Sequence, residues 1–228
     1  MKNIVCYLLL IIPLLFSCQK QFNSPPYNDY EKKIRELPLE TQKIIIPKEW
    51  QKMDSLSFLR LKNTTNIIID ADSIPTWITK FENVKTIYSH FGKIKSLPIN
   101  MGNMENLEKI AIFSHSLEKL PSSLCSLKKL DYLSLSSNSL QELPDCVFQL
   151  KNLKTLDLIS NRIKKIPPTI NFEKVEKLNL QGNQIQELPE SIYNLPKLKE
   201  ISLGGNPLKN PKEIKTKFAN KGVKVNLE

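Results

Sequence analysis

Arginine is almost missing from this chain. Only Arg35, Arg60 and Arg162 stand among the 33 basic residues; the others are lysines. Bidentate grips on phosphate favour the planar guanidinium fork. An Arg-poor surface therefore excludes a dedicated nucleic-acid binder. The formal net charge of +10 is read as solvation and attraction to anionic surfaces. Glycine is scarce too, at 6 residues, which excludes low-complexity sequence. There are 2 histidines and 4 cysteines, and none of them cluster with zinc-ligand spacing. A Gly-rich phosphate loop and a Gly-x-Ser-x-Gly elbow are both absent. Asp70 and Asp72 are too few carboxylates for a calcium site and read as a solvated turn. We expect no catalytic constellation, no metal site and no cofactor.

The apolar run Ile4–Phe16 falls short of the roughly 20 residues that a membrane-spanning helix needs. Lys2 precedes it, Ser17-Cys18 ends it, and Gln19-Lys20-Gln21 turns polar. A charged start, a short apolar core and a small residue describe a secretory signal over residues 1–17. Residues 18–30, with Asn23-Ser24-Pro25-Pro26, read as a flexible tether. Residues 31–55 read as an N-terminal capping region. An amphipathic helix from Asp29 to Leu37 leads from the tether into it, with Tyr30, Ile34 and Leu37 on one face. A short strand at Ile44-Ile45-Ile46-Pro47 then covers the open first end of a repeated region.

From Leu56 onward the chain repeats itself. Starts fall at Leu56, Val84, Leu107, Leu130, Leu153, Val175 and Leu198, at intervals of 28, 23, 23, 23, 22 and 23 residues. The cleanest copy runs Leu130-Asp131-Tyr132-Leu133-Ser134-Leu135-Ser136-Ser137-Asn138, then Leu140, Leu143-Pro144, Val147 and Leu150. Leu133 and Leu135 are two apart, so both face one side of a strand, with Tyr132, Ser134 and Ser136 on the other. Asn138, Asn161, Asn183 and Asn206 recur after the strand, where an amide can both donate to and accept from turn backbone. Gly92 and His115 take that position in earlier repeats, and Thr64 in the first, whose extra length is read as an insertion near Ile67-Ile68-Ile69-Asp70. His115 is accordingly read as a structural hydrogen-bonding group. The recurring Pro has fixed φ and no N–H, so the return path is extended or turning rather than a long helix. One repeat cannot bury its apolar face alone; a stack can. Residues 209–228, with a helix over Pro211–Asn220 and a strand at Val223-Lys224-Val225, read as a closing cap.

Across residues 56–208 this pattern resembles leucine-rich-repeat proteins, in the 23-residue form with Leu-Pro in the second half. The resemblance implies an α/β leucine-rich-repeat solenoid. It would be curved, with a parallel β-sheet on the concave face and irregular or short helical segments on the convex side. A second likeness lies at the signal: Leu15-Phe16-Ser17-Cys18 resembles the lipobox of bacterial lipoproteins. That implies cleavage before Cys18 and acylation of Cys18. The chain would then be exported and lipid-held on the bacterial outer membrane or cell surface, with the periplasmic side as the alternative.

Cys125 and Cys146 remain in the repeats. A disulfide fits an oxidising compartment, but the two sit at different repeat positions, which favours two buried free thiols. Outward strand positions carry aromatics in the first four repeats: Phe58, Tyr88, Phe113 and Tyr132. Phe91 lies beside them, unless it and Phe58 turn inward. With His90, Asp157 and Ile159, these residues form the expected partner-binding face, because exposed aromatics bury much area at low entropy cost. The expected function is non-catalytic binding of a protein or glycan partner by a monomer. A structural scaffold or envelope-assembly component is the alternative.

Overall fold

The computed structural model describes residues 39–48 and 61–228. The signal, Cys18, the tether, the Asp29–Leu37 helix, Leu56, Phe58 and Arg60 lie outside them. Nine parallel strands form a single curved, open sheet in strict chain order. They are β1 (Lys43–Pro47), β2 (Asn66–Asp70), β3 (Thr86–His90), β4 (Lys109–Phe113), β5 (Tyr132–Ser134), β6 (Thr155–Asp157), β7 (Lys177–Asn179), β8 (Glu200–Ser202) and β9 (Lys224–Asn226). The architecture is the expected solenoid. Residues two apart in each strand point inward: Ile87, Ile110, Ile112, Leu133, Leu135, Leu156 and Leu158 are all fully buried. Among the described residues, no helix is long and apolar enough to cross a membrane.

Proline sets the return path. Pro75, Pro121, Pro144 and Pro189 are extended, and each opens a 3-10 helix. Each Pro carbonyl accepts the N–H three residues on, as in Leu124 N to Pro121 O and Val147 N to Pro144 O. A Pro carbonyl can do this even though its nitrogen cannot donate. The repeat begun at Leu153 lacks the helix. There the Ser191 hydroxyl donates to Pro168 O and accepts from Ile170 N. At the C-terminal end, α1 (Pro211–Ala219) buries Ile214 and Phe218, and β9 pairs with β8.

The first repeats differ from the expectation. Asn66 pairs in register with Thr86 on one side and with Lys43 on the other. Ile67–Asp70 is therefore strand, not insertion. The coil starts at Thr64, twenty residues before Val84, and the coil before it starts at Thr41. Thr64 is fully buried at the position a leucine holds elsewhere, with its hydroxyl donating to Thr41 O at 3.2 Å. A leucine template passes over a threonine in that place. The outward residues of this coil are Asn66, Ile68 and Asp70.

The asparagine ladder forms. Asn161 Nδ2 donates to Leu135 O, Leu158 O and Ile159 O at 2.9, 3.1 and 3.2 Å, while its Oδ1 accepts Leu140 N at 3.0 Å. Asn138 and Asn183 repeat the full set. Asn206 repeats most of it. The residue just before the ladder position is left-handed in six successive coils: Phe91, Ser114, Ser137, Ser160, Gly182 and Gly205. A second ladder, not expected from the repeat pattern, runs along the other end of the strands. Asn63, Asn83, Asn106 and Asn152 stand just before the repeat starts, and each donates to a carbonyl of the preceding coil.

Cys125 and Cys146 form a disulfide with Cα atoms 5.8 Å apart, which corrects the expectation of two free thiols. Both are half-buried rather than buried. Equal positions in stacked coils point the same way, so a bond needs one residue facing forward and one facing back. On neighbouring 3-10 helices, at three residues per turn, Cys125 in Ser122–Ser126 and Cys146 in Asp145–Gln149 are offset to do that.

Two outcomes are expected in urea unfolding. Asn161→Ala leaves Leu140 N unpaired in a buried site and takes one of two donors from each of three carbonyls, and should cost about 2 kcal/mol. Cys146→Ser should cost about 3 kcal/mol by the loop-closure argument for a bridge of this span, and reducing agent should lower the wild-type midpoint while leaving the variant unmoved.

Candidate functional site

Outward side chains of β3 and β4 come together as rings. Tyr88 lies 5.4 Å from both His90 and Phe113, edge-on to the latter, and His90 lies 5.7 Å from Phe113. Strand register places these contacts, because Tyr88 pairs with Ala111 and His90 with Phe113. The alanine leaves room for both flanking rings. Phe91 stacks on His90 at 4.6 Å and is 71% exposed, so it does not turn inward. Its φ of 56° is left-handed, where a bulky side chain is an outlier. Holding it there costs on the order of 1–2 kcal/mol.

Tyr132 sits on the next strand. Burial raises its hydroxyl pKa, and its charge would be felt by Tyr88. Asp157 and Ile159 lie further on, outside the ring cluster. Asp157 accepts from the buried Ser134 hydroxyl at 3.1 Å and from Ile159 N at 3.2 Å. Burial raises the Asp157 carboxyl pKa, and those two donors oppose the rise. Asn179 and Asn226 make the same contact to the backbone two residues on. Asp157 is thus first a turn-closing group of the Asx kind. Phe58 lies outside the described residues.

Behind the rings, His115 stands in the ladder and does the asparagine's work with different atoms. Its Nδ1 accepts Ile94 N at 3.3 Å, as Asn138 Oδ1 accepts Leu117 N. That leaves Nε2 as the protonated nitrogen, donating to Ser89 Oγ at 3.0 Å; Ser89 in turn donates to Ile69 O at 2.6 Å. The imidazole needs space, and a Cβ on Gly92 would lie 2.6 Å from His115 Cε1. Gly92, Ser89 and His115 are therefore one coordinated replacement of the ladder. Repeat position alone marks His115 as structural but points to neither partner. In the coil before, Asp72 holds the ladder position and pairs with Lys48, which also holds its carboxyl pKa low.

These features match known proteins. The chain is similar to leucine-rich-repeat proteins: a family model for a leucine-rich repeat region matches residues 116–215, and solved structures share the architecture. A leucine-rich-repeat protein of Leptospira interrogans is 24% identical, with a TM-score of 0.57 over 89% of this chain and 63% of that one. The plant peptide hormone receptor RGFR1, solved in complex with RGF2, is 25% identical, with a TM-score of 0.57 over 72% of this chain and 30% of that one. The leucine-rich repeat domain of the type III effector XopL is 16% identical, with a TM-score of 0.64 over 87% and 79%. The chain thus spans less than two thirds of the Leptospira protein and under a third of the receptor. No curated protein matches it. The fold is that of interaction modules, whose members generally bind rather than catalyse.

Burial first, and the His90 charge second, depress the His115 pKa; Ser89 and Asp72 oppose this. In the unfolded chain a histidine titrates near 6.5. Above that pH the His115 contribution to stability is fully present. It is lost as pH falls from there through the folded value, because the unfolded state then binds the proton that the native site refuses. A melting-temperature profile from pH 8 to 5 should show this fall in the wild type. His115→Asn should flatten it; an unchanged slope would remove His115 as its source.

Proposed function

We propose that this chain is an exported, non-catalytic interaction protein, held on a bacterial envelope membrane through acylated Cys18, which binds a protein or glycan partner on its concave face. The observation that carries the binding reading is Phe91: a large apolar ring, 71% exposed, in a backbone conformation that disfavours it. Equivalent turns use serine or glycine. The ring packs on His90 yet stays largely exposed, and strain held for an exposed ring points to a contact made outside the chain. Tyr88, His90 and Phe113 extend the same patch, and rigid aromatic anchors of this kind dominate binding surfaces. A solved relative of this fold, RGFR1, is in complex with RGF2, which supports a peptide or protein ligand. The signal-like residues 1–17 and the lipobox-like Leu15-Phe16-Ser17-Cys18 support the anchor.

A photo-crosslinking side chain at position 111, at the centre of the concave face, should trap partners in intact cells. The same group at Lys119, off the strands, should not. Equal adducts from both positions, or none from 111, would remove the concave-face reading. Cys18→Ser should move the protein from the membrane to the soluble fraction; retention on the membrane would remove the anchor.

A further inference from the structure

Lysine is plentiful in this chain and is kept off part of the sheet. Each strand shows its first, third and fifth residues to the concave side, counting on past the short strands. Lysines occur there only at the first position: Lys43, Lys109, Lys177 and Lys224. The third and fifth positions of all nine strands carry no Lys or Arg, in a chain with 33 of them. Their charges are Asp70, Asp157 and Glu228. Asp70 ends β2 and lies next to His90 at the end of β3, close enough to favour its protonation. It is exposed and has no ion pair among the described residues, whereas Glu108, Glu176 and Glu187, off these rows, are each paired with a lysine. One half of the face is thus free of cations, acidic at three points, and lined in its first coils by ring faces.

We propose that this half of the concave face takes a cationic polypeptide segment, seating a lysine or arginine side chain among Tyr88, His90 and Phe113 against Asp70. The inference rests on the concave face being the binding surface and names the chemistry of its partner. Ring faces attract cations through their quadrupole, and a nearby carboxylate adds to the attraction. Burial depresses the His90 pKa, so the imidazole brings no opposing charge at neutral pH. The spacing favours a chain over a lone cation. Asp70 and Asp157 lie four strands apart, which is about 19 Å at the usual strand separation. An extended peptide covers that in about six residues. Two basic residues six apart would meet both carboxylates, with the intervening backbone over Tyr88, Phe113 and Tyr132. A glycan would match the rings but would give no reason for excluding lysine.

The test uses the purified full chain and fluorescent Gly/Ser decapeptides with arginine at positions 3 and 9, or glutamine or glutamate at both. The arginine peptide should bind at least tenfold more tightly than either, with affinity falling as salt rises. Asp70→Asn, an exposed and conservative change, should weaken binding several-fold. Tyr88→Ala with Phe113→Ala should weaken it about tenfold or more, with circular dichroism confirming the fold. Equal affinity for the three peptides, no binding of any, or arginine binding untouched by both variants would each overturn the cationic ligand. If the Tyr88/Phe113 variant also loses the adducts trapped from position 111, the binding face stands and only its ligand chemistry is wrong. If those adducts persist, the face reading fails as well.

Discussion

A parallel coil of about 23 residues leaves backbone groups inside the stack at every strand-to-turn corner, where neither strand pairing nor water can reach them. The Asn ladder is the answer to that constraint. One side chain with two donors and an acceptor closes three carbonyls and an N–H per coil. An unpaired buried polar group costs on the order of 1–3 kcal/mol, and a domain's net stability is only about 5–15 kcal/mol. The corner chemistry therefore decides whether the apolar stripe of leucines can be stacked at all. The left-handed residue before each ladder position is part of the same corner, because it turns the chain so that the amide points inward.

Where the ladder departs from asparagine, other residues change with it. His115 reaches further than an amide, so Gly92 gives up its side chain and Ser89 replaces a leucine-type residue to carry the hydrogen bond one coil on. This cluster lies directly beneath the turn that presents Phe91. The least regular part of the corner ladder and the aromatic patch on the concave face therefore occupy the same two coils. In the later coils, Asn161, Asn183 and Asn206 keep the plain amide, and the outward residues carry no aromatic ring.

Much of this was legible in the chain. Leucine and proline spacing carried the solenoid, and the asparagines carried the corners from Asn138 onward, because those positions each have one side-chain chemistry that fits. The ring cluster was legible as well, since period two in a strand dictates which residues face outward. The first coils were misread because Thr41 and Thr64 stand where leucine is expected; buried threonine can replace it when its hydroxyl finds a carbonyl. The cysteine pair was misread because equal repeat position was taken as the condition for contact, when facing coils require an offset. The second ladder of Asn83, Asn106 and Asn152 was visible in the spacing, but nothing in a single repeat says that an asparagine there reaches back one coil. The role of Asp157 in closing its own turn needed coordinates.

Coils that touch only their neighbours also make the fold a mechanical object. A solenoid pulled from its first residues gives way one coil at a time, each released when its own corner and its contacts with the next are broken. The covalent link between Cys125 and Cys146 is a stop on that path, since the two coils it joins cannot be drawn apart in sequence. Tyr88, His90, Phe91 and Phe113 all lie on the N-terminal side of that stop. A load carried through the N-terminus would therefore reach the aromatic patch before it reached the clamp, and the coils beyond would hold their shape after the patch had come undone.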